Sequence, residues 1–313
     1  TAVTGENQFL FFLKPELTEA TESLGDIMGY LLGTMADHGM AIESAAAISG
    51  EYLAKHGIVS EHYGIIDAAA KDPSSTITEA MRRVFEENFG LNSNDATLIG
   101  GVPYLQVHPE LDSATLSNLW LERGYVRIGS GTYCQYVPEE DLYLVNGFYP
   151  RMLEHFTKER SCIVTFVLRS STSWGVARGD FVGATAPAEA KAGSVRKGLL
   201  ERQTDFKLGV VSPNLNGVHL SAGPVEGLVE LMRFTQNREE PAARRDLTGF
   251  MFGKLLSEQF DANMIEEILG NCEVETESGV STTFDITEEL DSDDALLILG
   301  STLDKKSRAP GGD

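Results

Sequence analysis

From residue 216 to 234 the chain reads Asn216-Gly217-Val218-His219-Leu220-Ser221-Ala222-Gly223-Pro224-Val225-Glu226-Gly227-Leu228-Val229-Glu230-Leu231-Met232-Arg233-Phe234. A short segment ending near Ser221 reads as a strand. Gly223-Pro224 punctuates it, and apolar residues then recur at helical spacing, with proline at the first helical turn where its missing N–H costs nothing. One imidazole, His219, falls at the strand-to-helix turn, and a carboxylate, Glu230, follows about three helical turns later on the helix. A neutral imidazole is a competent nucleophile toward a phosphoryl group when a partner fixes its tautomer and stabilises the charge that develops. Taken alone, a histidine beside a turn is more often structural.

Two further segments add weight. Gln8-Phe9-Leu10-Phe11-Phe12-Leu13-Lys14-Pro15 is an apolar run ending in a lysine, read as a buried strand that Pro15 forces out of its sheet. A lysine at that position can meet a phosphate as a point charge. Gly183-Ala184-Thr185-Ala186-Pro187, continuing to Gly193-Ser194-Val195-Arg196, is a small-residue loop closed by an arginine.

In this order the segments resemble the motifs of the nucleoside diphosphate kinase family. The counterparts are Lys14-Pro15, His62-Tyr63, Phe148-Tyr149, Gly183 to Arg196, and Asn216 to Glu230, with the interval from His219 to Glu230 matching without a gap. The resemblance covers about half of the chain and implies a divergent member with a large insertion and a C-terminal extension. It implies an α/β sandwich (α+β) with a ferredoxin-like antiparallel sheet and helices packed on it. Residues 1–63 and 146–236 would form a discontinuous core, 64–145 an inserted small α+β subdomain, and 237–313 a helical and acidic extension.

The resemblance also implies a chemistry: transfer of the terminal phosphoryl group of a nucleoside triphosphate to a nucleoside diphosphate through a phosphohistidine on His219. Glu230 would orient the histidine. Lys14, Arg196 and Tyr63 would surround the phosphates, and Thr185 would donate a hydroxyl. Asn216 would contact the ribose, Phe148 would stack on the base, and Ser221 would steady the histidine loop. Mg2+ would arrive with the nucleotide, and no protein-held metal is expected. The alternative is a non-catalytic member of the fold that binds nucleotide or protein. Departures from the family pattern are specific. Gly179 stands where an arginine is expected, with Arg178 beside it. Ala186 and Ala192 replace loop residues, Leu220 replaces the glycine after the histidine, and Ala222 replaces an aspartate. Arg202 is a rival to Arg196.

Composition sets outer bounds. At 313 residues the chain is about two domains long, and its net charge is −22. Such a field repels polyanions, so nucleic acid is not an expected partner, while local cations can still serve a nucleotide. No apolar run reaches membrane-spanning length, so no membrane association is expected. Cys134, Cys162 and Cys272 are far apart, odd in number and without metal-ligand spacing, which fits a reducing, cytoplasmic compartment. Cys162 is expected in the core, and a homo-oligomer is compatible with the family.

The remaining expectations are local. Helices are expected over Thr18–Asp37, Ile77–Phe89 and Pro224–Phe234, another follows Gly147-Phe148-Tyr149-Pro150 and runs through Lys158, and a pair over Glu51–Tyr63 is broken near Gly57. Strands are expected over Met40–Ile48 and Ser161–Leu168. Leu98–Val107 and Gly124–Val137 read as strand-rich, Ala242–Gly270 as two helices, and Ala295–Leu299 as an edge strand. The tail from Asp304 reads as disordered.

Overall fold

The computed structural model describes residues 5–239, 246–277 and 279–308. In chain order its strands are β1 (Asn7–Leu13), β2 (Ala41–Ser49), β3 (Leu98–Gly100), β4 (Val126–Gly129), β5 (Thr132–Val137), β6 (Leu142–Val145), β7 (Cys162–Ser170), β8 (Val218–Leu220), β9 (Glu273–Thr276) and β10 (Gly279–Thr282). The chain separates into two compact units. One holds Thr1–Ile48 and Cys162–Asp313, the other Ser49–Ser161. The architecture is mixed α/β, with antiparallel and mixed sheets covered by helices.

The first unit is built on a sheet of order β2-β7-β1-β8. β1 lies inside it, antiparallel to β7 from Asn7↔Ser170 to Leu13↔Val164, and antiparallel to β8 through Phe11↔Leu220, Phe12↔His219 and Leu13↔Val218. A strand covered on both faces reads as a continuous apolar run rather than an alternation, as Phe9 to Leu13 does. Period-two geometry sends Phe9, Phe11 and Leu13 to one face and Leu10, Phe12 and Lys14 to the other. The first set packs with Ile27, Leu31 and Met35 of the helix Leu24–Asp37, and with Trp174 and Phe181. That helix starts later than the Thr18 expected from the sequence. Pro15 instead opens a short separate helix, Pro15–Thr18, and the Thr18 hydroxyl bonds the carbonyls of Pro15 and Cys162 instead of capping the longer one. β2 forms the other edge and is exposed along almost its whole length.

The helix Pro224–Thr235 buries Val225, Leu228 and Met232 in a cluster with Phe252, Leu256, Ile265, Ile268, Ala295, Leu299 and Leu303. The C-terminal region therefore shares a core with the helix that carries Glu230. Residues 295–299 were expected as an edge strand, and this is corrected: they lie within the helix Ser292–Arg308. Ala295, Leu296, Leu299 and Leu303 are buried at helical spacing, and Asp293 and Asp294 occupy the first turn, where acidic charge suits the helix dipole. The helix also runs past Asp304, and Pro310 to Gly312 lie outside the described residues. Two helices, Met251–Gln259 and Ala262–Leu269, occupy the expected region, of which residues 242–245 lie outside the described ones.

The second unit has its own sheet, of order β3-β6-β5-β4, parallel between β3 and β6 and antiparallel elsewhere. Phe85, Ile128, Cys134, Tyr143 and Val145 fill one core, and Tyr104, Leu116, Trp120 and Leu144 another. Leu98–Val107, expected as strand-rich, yields only three strand residues before the helix Gly101–Val107. The Gly100-Gly101 pair marks the change, and a side chain at Gly100 would run into the backbone of Ala70. The helical pair Gly50–Lys55 and Ile58–His62 breaks at Gly57, which adopts φ 61°. Cys162, expected in the core, is only partly buried, and Cys134 is the fully buried thiol. Among the described residues no helix is long and apolar enough to cross a membrane.

Candidate functional site

Backbone pairing decides what surrounds His219. It lies directly opposite Phe12 on β1, so its ring shares a sheet face with Phe12 and with Lys14, two residues on. Phe12 and His219 stack with ring centroids 4.6 Å apart and planes inclined by 21°. The Phe234 ring, from the closing helix, has its centroid 5.3 Å from that of Phe12. That helix delivers Glu230 to the imidazole, and both carboxylate oxygens lie 3.0 Å from Nε2. Glu230 is fully buried, whereas the histidine side chain keeps 19% of its exposure. The carboxylate accepts the Nε2 proton, which fixes the tautomer and leaves the lone pair on Nδ1, the nitrogen turned away from it. Such a carboxylate–imidazole pair can hold the ring in one orientation and leave an outward nitrogen able to act as a nucleophile.

The neighbouring backbone is pinned. Ser221 is fully buried, its amide donates to the Leu10 carbonyl at 3.1 Å, and its hydroxyl accepts from the Leu10 amide at 3.2 Å. Gly217 enters β8 at φ 81°, where a Cβ would also strike Leu199. Its amide donates to Glu16, and its carbonyl accepts from the Lys14 amide. Leu220, which follows the histidine in the strand, turns its side chain into the opposite core.

Lys14 and Arg196 supply the positive charge on this part of the unit. The Lys14 ammonium donates to Asn216 Oδ1 at 2.8 Å. Asn216, itself buried, donates through its amide nitrogen to the carbonyls of Thr185 at 3.2 Å and Pro213 at 3.1 Å. The expected ribose-contacting residue is thus placed to hold Lys14 against the small-residue loop. The Arg196 guanidinium donates to the carbonyls of Gly183 at 2.9 Å and Val218 at 3.1 Å, tying that loop to the residue before His219. Its rival Arg202 lies elsewhere, with its guanidinium 4.4 Å above the Tyr30 ring. Thr185 is exposed at the surface of the loop.

Burial pushes the Lys14 ammonium down to about 8; Glu16 opposes the shift, and Arg196 adds to it. The folded protein therefore binds fewer protons than the unfolded chain between pH 8 and 10.5. The desolvation cost is fully present below pH 8 and is relieved as pH rises through that window. Replacing Lys14 with methionine is expected to stabilise the ligand-free protein at neutral pH by on the order of 1–3 kcal/mol, with the difference vanishing by about pH 10.5. Urea unfolding of both proteins across pH 7–10.5 reads this directly. A gap that does not change with pH would contradict it.

Tyr63 and Phe148, the remaining expected residues, belong to the second unit. Tyr63 is half-buried between two short helices, 4.4 Å from the His62 ring and 6.2 Å from Phe156. Phe148 precedes the helix Tyr149–Thr157 and packs on Trp120 at 6.0 Å and Tyr133 at 5.8 Å. The sequence reading missed two residues of the first unit. Phe12 looked like one apolar residue among several, and only the register shows it stacked on the imidazole. Glu226 precedes Glu230 by four residues, a spacing that was legible in the sequence as one helical face. Arg178, the expected substitute for a missing loop arginine, sits in the π-helical segment Ala177–Val182. It pairs with Glu288 at 2.6 Å and Glu289 at 3.4 Å, and donates to the Ala222 carbonyl at 3.2 Å.

Among solved structures, the chain is similar to the nucleoside diphosphate kinase of Aquifex aeolicus, at 13% identity and a TM-score of 0.36, covering 75% of this chain and 98% of that one. A transition-state mimic of the Borrelia burgdorferi enzyme, with bound vanadate and ADP, gives 14% identity and a TM-score of 0.36 over 78% and 95%. The Encephalitozoon cuniculi enzyme gives 12% identity and a TM-score of 0.33 over 76% and 94%. No protein-family model matches the chain, and no curated protein does.

Proposed function

We propose that this protein is a nucleoside diphosphate kinase-like phosphotransferase, with His219 as the phosphoacceptor. The observation that carries the proposal is the buried Glu230 carboxylate, with both oxygens 3.0 Å from Nε2 of a partly exposed imidazole. Lys14 lies two residues beyond the imidazole's cross-strand partner on the same face, and Arg196 is anchored to the preceding carbonyl. A strand order of β2-β7-β1-β8, with antiparallel neighbours on both sides of β1, supports a ferredoxin-like core for that site.

Two displacements make up the reaction. Nδ1 of His219 attacks the terminal phosphorus of a nucleoside triphosphate in line with the bridging oxygen. The new P–N bond forms as the P–O bond breaks, and the nucleoside diphosphate leaves with the bond's electron pair. A second diphosphate then attacks the phosphohistidine through its terminal oxygen, breaking the P–N bond and restoring the imidazole. Little acid–base chemistry is needed. Positioning and cationic charge around the equatorial oxygens carry the step, which is the work of Lys14 and Arg196. Glu230 accepts the Nε2 proton throughout and stabilises the charge on the ring. Mg2+ enters as part of the nucleotide substrate.

Arg178 favours a second reading, a nucleotide-binding or protein-interaction member without catalysis. Its guanidinium is committed to Glu288, Glu289 and Ala222, and Ala222 itself offers no carboxylate. Incubation with ATP labelled at the terminal phosphate separates the two. The catalytic reading expects an acid-labile, base-stable label that is discharged by an added nucleoside diphosphate. Bound nucleotide without label selects the non-catalytic reading.

A further inference from the structure

The first turn of the closing helix carries a second carboxyl that the phosphoryl-transfer chemistry does not use. Glu226 precedes Glu230 by one turn, so the two side chains rise from the same helix face. Glu230 is fully buried against His219, while Glu226 is partly buried and retains a path to solvent. The groups facing Glu226 come from three places. Glu230 and Arg233 act on it from its own helix, Arg178 from the Ala177–Val182 segment, and Glu288 from the turn after Asp285–Thr287. This setting is fixed rather than incidental. The Glu289 amide donates to the Ala222 carbonyl at 2.9 Å, and the same carbonyl receives Arg178, whose guanidinium also holds Glu288. A side chain at Gly223 would collide with the Thr287 carbonyl, so the turn is seated on the backbone that leads from His219 into the helix.

We propose that Glu226 is a positioning residue of the His219 site, acting through Glu230, one helical turn away on the same face, as the outer member of a carboxyl pair. The proposal rests on the reading of His219 and Glu230 as the reacting pair. Burial and then the charge of Glu230 push the Glu226 carboxyl up to about 7, with Arg178 opposing, Glu288 assisting and Arg233 opposing. Two carboxylates one turn apart in a partly dry site repel, and holding a proton on the outer one removes that repulsion. Glu226 protonated leaves a single negative charge, that of Glu230, committed to the Nε2 proton of His219. Once Glu226 ionises, a second negative charge acts on the same carboxylate. The field at the imidazole then changes, although Glu226 itself touches neither the ring nor a nucleotide.

The test uses the full chain with 15N-labelled histidine and no nucleotide, following the His219 ring resonances from pH 5.5 to 8.5. The wild type is expected to show a step near pH 7 that Glu226→Gln lacks. Glu288→Gln, which removes a charge that holds the proton on, is expected to draw the Glu226 step to lower pH. Arg178→Met is expected to move it to higher pH. Absence of that step in the wild type, or its persistence in Glu226→Gln, overturns the proposal. Two further outcomes separate it from the phosphotransferase reading. A step near pH 7 that Glu226→Gln abolishes, in a protein that takes no label from ATP, sustains the carboxyl pair and removes the phosphotransferase. Labelling with a pH profile identical in wild type and Glu226→Gln does the reverse.

Discussion

Replacement of His219 with glutamine is expected to abolish labelling by ATP, lowering phosphoenzyme formation by on the order of 10^4-fold or more. Nucleophilic catalysis concentrates on one atom, which the proposed chemistry places on His219. Glutamine is chosen because its amide can still donate to Glu230, so the fully buried carboxylate is not stranded. The protein should then remain folded, with an unchanged circular dichroism spectrum. Variants at His38, His56, His62, His108 and His155 should keep the label. Full labelling of His219→Gln would place the phosphoryl group elsewhere and end the assignment.

Trp174→Ala is expected to be the most damaging single core change in the first unit, costing about 3–5 kcal/mol. Trp174 is fully buried, with its ring 4.3 Å from Phe9 of β1. It also lies against Gly227, where a Cβ would approach the indole at 2.9 Å. The indole therefore sets the distance between the central strand and the helix that carries Glu226 and Glu230. Truncation leaves a void on the inner side of that helix, so the consequence extends from stability to the site. Urea unfolding gives the cost. Amide exchange at Leu10, whose N–H is held by Ser221, gives its location. An unfolding free energy within about 1 kcal/mol of wild type would show that the region repacks. Trp174→Phe should restore part of the loss.

Much of the site was visible in the order of residue types. Lys14 before a proline, a small-residue loop closed by Arg196, and His219 followed at helical distance by Glu230 each reflect local geometry. A strand end, a turn and a helix face are all written in spacings of a few residues. The correction at 295–299 has an equally local cause. Five consecutive apolar residues fit a strand or one side of a helix, and periodicity cannot separate the two over so short a run. The acidic first turn before them, with Asp293 and Asp294, was the available signal for a helix.

Arg178 and Phe12 show what spacing cannot convey. Arg178 was placed by sequence next to a missing cation, yet its partners, Glu288 and Glu289, come from more than a hundred residues later. Phe12 acquires its position under the imidazole from the pairing of β1 with β8, two strands over 200 residues apart. Arg196 and Arg202 are six residues apart and equally basic. One bonds the carbonyl before His219, and the other lies over Tyr30. The sequence by itself determined the buried central strand, the strand–turn–helix around His219 and the residues able to do chemistry there, because propensity, turn chemistry and periodicity act over a few residues. Only the tertiary structure decided which cation faces the histidine strand, which aromatic ring supports the imidazole, and that the C-terminal turn seats on the helix carrying both carboxyls. Those outcomes depend on strand register and on packing between distant segments, which no local pattern records.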